Sequence, residues 1–170
     1  EKLLKQVEAF ELESPVFEAE AQMLRSLVKQ AKLLRQRYWV VVANPPYMSG
    51  SSFDAELKAF VLKQYPKGKS DLFAAFMERC LKQTYDRGLM ALINQHSWMF
   101  LSSYEKLRNF VLDNYRIQSM LHLGYGVFKE LNSKVVQSTA FVMSGKQFSE
   151  QEQGVYLKLT EFQGAGNRFE

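Results

Sequence analysis

A chain of 170 residues, 46% hydrophobic and 24% charged, has the size and balance of one folded domain with a real core. Its net charge of +4 suits a nucleic-acid partner without requiring one, and a single cysteine excludes an internal disulfide or a cysteine-rich metal site. No apolar run nears the roughly 20 residues of a membrane helix, and the opening Glu1-Lys2-Leu3-Leu4 lacks a signal-peptide layout, so the cytoplasm is the expected compartment.

Leu3, Leu4, Val7 and Phe10 mark a first amphipathic helix, and Ser14-Pro15 suits the N-cap and first turn of a second. That second helix is expected to reach about Arg37, with Leu24, Leu27, Val28, Ala31 and Leu34 on one stripe and Arg25, Lys29, Lys32, Arg35 and Arg37 solvated. Trp39-Val40-Val41-Val42-Ala43 reads as a strand that stops abruptly at Asn44-Pro45-Pro46-Tyr47. A Ser/Gly-rich loop over residues 48–52 leads to a helix bearing Leu57, Phe60, Val61 and Gln64, which Pro66-Lys67-Gly68-Lys69 breaks. The next helix spans residues 71 to about 85, and Cys80 falls among its apolar positions as a buried structural thiol.

After Asp86-Arg87-Gly88, residues 89–94 are apolar without alternation, the pattern of a strand buried on both faces. Ser102 and Glu105 are spaced as a capping box for a helix through Tyr104, Leu107, Phe110 and Val111. Residues 117–123 and 135–143 read as strands, and 155–159 is expected to pair near the latter across a polar turn. Alternation of this kind predicts an α/β sheet with right-handed crossovers.

Asn44-Pro45-Pro46-Tyr47 is poorly suited to a turn and well suited to a pocket. Its prolines fix φ at about −65° and lack N–H groups, so their carbonyls can face a cleft without ladder partners. The asparagine offers one acceptor and two donors, and the tyrosine a flat face of the kind that holds an extruded base. Together they can grip a planar molecule that carries an NH₂ group.

In this setting Asn44-Pro45-Pro46-Tyr47 resembles motif IV of the S-adenosylmethionine-dependent amino-methyltransferases, above all the DNA adenine-N6 enzymes. Lys69-Ser70-Asp71-Leu72-Phe73-Ala74-Ala75-Phe76 resembles that family's next motif and Gly88-Leu89-Met90-Ala91-Leu92-Ile93 its following strand. Gly124-Tyr125-Gly126-Val127-Phe128, with residues 134–143, resembles its aromatic-bearing later motif. Residues 38–145 are similar to the large methylases of restriction and phage-defence systems, including the PglX type of BREX, although Trp39 stands where an Asp is common.

The resemblance implies a partial Rossmann-like class I sheet, made of the later strands with helices on both faces. Residues 1–37 would be a helical lead-in and 38–170 the substrate-side half. Residues 1–37 contain no glycine, so the close-approach turn for the cofactor is expected upstream, and the fragment alone is expected to be inactive. The strand before Asn44 would then border missing strands.

The implied reaction moves a methyl group from S-adenosylmethionine to the N6 amine of an adenine flipped from double-stranded DNA. Other restriction or phage-defence subunits are possible partners, and no membrane is involved. Asn44, Pro45, Pro46 and Tyr47 would be catalytic, Tyr47 and Phe128 would stack on the base, and Asp71 and Phe76 would neighbour the cofactor, Asp71 doubling as an N-cap. Lys67, Lys69 and Lys134 would meet DNA phosphates. No metal is implied, since His96 and His122 are too few and too separated, and Asn94-Gln95-His96 would line the cleft without a specific role. The same four-residue motif also serves enzymes that methylate protein glutamine or RNA amino groups, and a catalytically silent binding module is a third reading.

Overall fold

A computed structural model of the chain describes residues 18–127, 136–145 and 153–160, in two units that divide after Gln36. The first predicted helix and the Ser14-Pro15 cap lie outside the described residues. The first unit contributes helix α1 (Glu18–Arg35). It ends two residues earlier than expected, closed by Gln36 N–H donating to the Lys32 carbonyl at 3.0 Å. Lys32 and Arg35 in its last turn favour the negative end of the helix dipole.

The second unit is built on a sheet. Its elements are β1 (Tyr38–Ala43), α2 (Ala55–Gln64), α3 (Leu72–Gln83), β2 (Thr84–Gln95), α4 (Glu105–Asn114), β3 (Tyr115–Gly124), β4 (Ser138–Gly145) and β5 (Val155–Lys158). The strand order is β1-β2-β4-β3-β5. β1 is parallel to β2, β4 lies antiparallel between β2 and β3, and β5 is parallel to β3. The expected alternation of helices and strands is present. β5 pairs with β3, the neighbour of β4, because both edges of β4 are already taken.

Asp54 and Asp71 start α2 and α3 by accepting from the N–H groups of Leu57 and Phe73. The capping box predicted at Ser102 and Glu105 does not form. Residues Ser102–Tyr104 make a 3-10 turn, and Glu105 N–H bonds to the Ser102 carbonyl instead, a tighter closure that satisfies the same orphan donor. Asp86-Arg87-Gly88 is likewise not a break between helix and strand. It lies inside β2 as an irregularity between the Tyr38–Thr84 and Val40–Leu89 pairs. A Cβ on Gly88 would stand 2.6 Å from the Trp39 carbonyl oxygen, so the two strands need a glycine to approach there.

One apolar cluster joins α3, α4 and one face of the sheet. Phe73 and Met77 of α3 and Leu107 and Val111 of α4 share it with Met90, Leu92, Phe141 and Met143. β2 therefore alternates, contrary to the expectation of burial on both faces. Met90 and Leu92 are buried, while Leu89 is 41% exposed and joins Val40 and Val42 on an open face. No helix among the described residues is long and apolar enough to cross a membrane.

Candidate active site

Asn44 follows β1 directly, at the carboxyl ends of two parallel strands, the edge where open α/β sheets leave a crevice. Asn44 and Pro46 are exposed, Pro45 is buried between them, and Tyr47 is half-buried. The Tyr47 ring meets the fully buried Phe73 edge-on, with centroids 6.0 Å apart. Its hydroxyl is buried, with no partner at hydrogen-bond geometry among the described residues. Burial pushes its pKa above the usual tyrosine value; the nearby Ser138 hydroxyl opposes this and the Asp71 charge adds to it.

The chain after Tyr47 is tied to the start of α3 on both sides of one residue. Met48 N–H donates to Asp71 Oδ1 at 3.2 Å, and the Met48 carbonyl accepts from Leu72 N–H at 2.9 Å. Gly50 N–H extends the zip to the Ser70 carbonyl at 2.9 Å. The same Asp71 oxygen accepts from Phe73 N–H at 3.2 Å. Burial raises the Asp71 carboxyl pKa, and the backbone hydrogen bonds from Phe73, Met48 and Leu72 pull it back. Asp71 thus serves as the cap and as the staple that holds the Tyr47 loop. Its carboxylate is engaged by this chain's own amides. Phe76 on the same helix is 37% exposed, whereas Phe73 is fully buried.

A second tie lies behind the first. Glu78 is fully buried, and its Oε2 accepts from Lys67 N–H at 3.1 Å and Gly68 N–H at 3.3 Å. Its Oε1 stands 2.9 Å from Lys82 Nζ and 3.8 Å from Lys67 Nζ. The Lys67 ammonium also sits 4.5 Å over the Phe110 ring. Of the two lysines flanking Gly68, then, Lys67 is held against the protein. Lys69 lines a hollow of about 420 Å³ together with Lys58, Ser51 and Ser70. Lys58 had no signal in the sequence beyond that of a solvated helical lysine.

At the end of β2, Asn94 is fully buried and, among the described residues, neither amide atom has a hydrogen-bond partner, nor does the Trp98 indole N–H. Buried polar groups without a partner are uncommon in folded proteins. His96 and His122, far apart in sequence, are brought together because His96 follows β2 and His122 lies on β3, the two neighbours of β4. Their rings stack with centroids 5.3 Å apart. Among the described residues no group of three metal-ligating side chains occurs. Phe128 and Lys134 lie outside the described residues. Gly124 and Gly126, which precede Phe128, take φ values of 72° and 69°, where glycine is favoured.

Residues 1–128 match the family described as Eco57I restriction-modification methylase. The adenine-specific methyltransferase BrxX of Escherichia coli O9:H4 (strain HS) is 48% identical over 126 residues, which are 74% of this chain and 10% of that protein. The adenine-specific methyltransferase PglX of Lacticaseibacillus casei (strain Zhang) is 45% identical over 139 residues, 82% of this chain and 11% of that protein. The chain thus spans about a tenth of either relative's length. The fold is shared with a class I S-adenosylmethionine-dependent methyltransferase structure from Listeria monocytogenes, at a TM-score of 0.55 and 15% identity, over 74% of this chain and 38% of that one.

Proposed function

This chain belongs to the Eco57I restriction-modification methylase family, and from that premise we propose that it forms the substrate side of a DNA adenine-N6 methyltransferase acting in restriction or phage defence. Residues 38–170 make that side, residues 1–37 are its lead-in, and the cofactor's glycine-rich turn comes from outside them. The reading rests chiefly on the Asn44-Pro45-Pro46-Tyr47 loop, which leaves β1 at the sheet's carboxyl edge and is tied through Met48 to Asp71 and Leu72.

Bound S-adenosylmethionine supplies an electrophilic methyl group, with Phe76 as an apolar neighbour for its adenine. The chain's own residues hold the amine. The lone pair of adenine N6 is conjugated into the ring, and acceptors on both N–H bonds draw it out toward tetrahedral geometry. Asn44 Oδ1 takes one N–H and the Pro45 carbonyl the other. Both interactions strengthen as the nitrogen becomes cationic, so they favour the transition state over the ground state. No charged base is needed before attack.

Extruding the base from the duplex costs a few kcal/mol. Stacking, at about 1–3 kcal/mol per base, offsets this, with Tyr47 on one face and Phe128 on the other. Lys69, joined by Lys58 across the hollow, and Lys134 hold backbone phosphates.

The test is transfer of a labelled methyl group by the full-length polypeptide that carries this chain. Label is expected at adenine N6 in duplex DNA. Label in protein glutamine or RNA instead, or in none of the three, would overturn the reading.

A further inference from the structure

We propose that Phe100, backed by His96 and His122, is a stacking platform for a nucleobase of bound DNA beside the extruded one. This deepens the DNA reading above and rests on it. Phe100 is 63% exposed. Its ring centroid is 5.6 Å from that of His96 with 59° between the planes, and His96 in turn lies 5.3 Å from His122 with 24° between the planes. Rings from two separate parts of the chain therefore form one aromatic cluster, a stacked imidazole pair with Phe100 tilted against it on the side open to solvent. A solitary exposed phenylalanine needs no explanation. This one is held in place from several sides.

Gln137 sets both imidazoles. Its carbonyl accepts from His96 N–H at 3.0 Å and from His96 Nδ1 at 3.2 Å, and its side-chain oxygen accepts from His122 Nε2 at 2.9 Å. The turn that carries Phe100 is equally fixed. Phe100 and Leu101 N–H groups both bond to the Ser97 carbonyl, and the Arg108 guanidinium donates to the carbonyls of Trp98 and Leu101. Trp98 fills the inward position against Phe141, which leaves Phe100 outside. Such a platform is preorganised, so a planar ligand meets it without a further ordering cost.

Its place in the fold selects the ligand. His96 follows β2 at the edge where Asn44 follows β1, and the two strands are paired neighbours, Ala43 opposite Leu92. A duplex opened at the Asn44 loop presents its adjacent bases to that rim. Every base has a π-face, so the contact tolerates sequence.

The experiment uses the full-length polypeptide and duplexes carrying 2-aminopurine next to the target adenine. Phe100→Ala is expected to weaken duplex binding roughly 5- to 100-fold and to abolish quenching of the probe, with S-adenosylmethionine affinity unchanged. Phe100→Trp is expected to restore both. The platform is wrong if the alanine variant binds DNA as the wild type does. It is also wrong if tryptophan fails to rescue, or if cofactor binding falls in place of DNA binding. Wild-type protein that methylates DNA without quenching the probe overturns the platform alone; wild-type protein that neither binds nor methylates DNA removes both readings.

Discussion

Asn44 stands exposed beside a buried Pro45, so a carboxamide is free at the strand end while its neighbour anchors the backbone. Asn44→Ala should lower single-turnover methyl transfer by roughly 10²- to 10³-fold and leave the unfolding midpoint nearly unchanged; near-normal transfer would remove Asn44 from its role. Asp71 separates differently. Asp71→Asn keeps an acceptor for Met48 and Phe73 N–H, whereas Asp71→Ala leaves both unpaired, at a cost of about 1–3 kcal/mol in urea unfolding. Because burial raises this carboxyl's pKa, its contribution is full below the ordinary carboxylate value and is lost as pH rises through the raised value. The asparagine variant should lack that slope, and an unchanged slope would contradict the assignment. Burial also pushes the Cys80 thiol up to about 11, with a small opposing effect from Arg79. The folded chain should therefore stay unreactive to a thiol reagent near pH 8 and react on unfolding; rapid native labelling would show that Cys80 is accessible. Its buried place was legible from helical spacing alone. The double duty of Asp71 was not, since the Met48 amide lies 23 residues away, outside its own helix.

At the scale of elements, the loop between α2 and α3 depends on Glu78. Replacing it with alanine would orphan the Lys67 and Gly68 amides and cost about 2–3 kcal/mol. The paired lysines contribute less because they are partly exposed. Glu78→Gln should recover part of the loss, and calorimetric unfolding of the two variants distinguishes the amide contribution from the charge. Gly68 shows why this loop tolerates little else: a Cβ there would sit 2.3 Å from the Ala74 carbonyl oxygen. The sequence marked Pro66-Lys67-Gly68-Lys69 as a helix break but not as a clasped loop, because the clasp comes from a glutamate on the following helix. Local reading also placed a cap at Ser102 and began β2 only after Asp86-Arg87-Gly88. Both failed where backbone partners, the Ser102 carbonyl and strand β1, supplied the contacts.

Across the whole second unit, Val40 and Val42 are 59% and 72% exposed on the open sheet face, and β1 ends the strand order among the described residues. Apolar faces and free edges of this kind promote association. The chain expressed alone should self-associate, and Val40→Thr with Val42→Thr should lower its apparent mass in sedimentation at equal concentration, because threonine keeps the strand preference while adding a hydroxyl. An unchanged mass would show that association does not use this face. The alternation of elements and the Asn44-Pro45-Pro46-Tyr47 loop were readable directly from the chain, since hydrophobic periodicity and proline chemistry act over a few residues. The meeting of His96 with His122, the ties on the two loops and the place of β5 were decided only by the fold. Each joins groups far apart in sequence, and such contacts depend on which strand edges and buried oxygens remain unclaimed once the sheet has assembled.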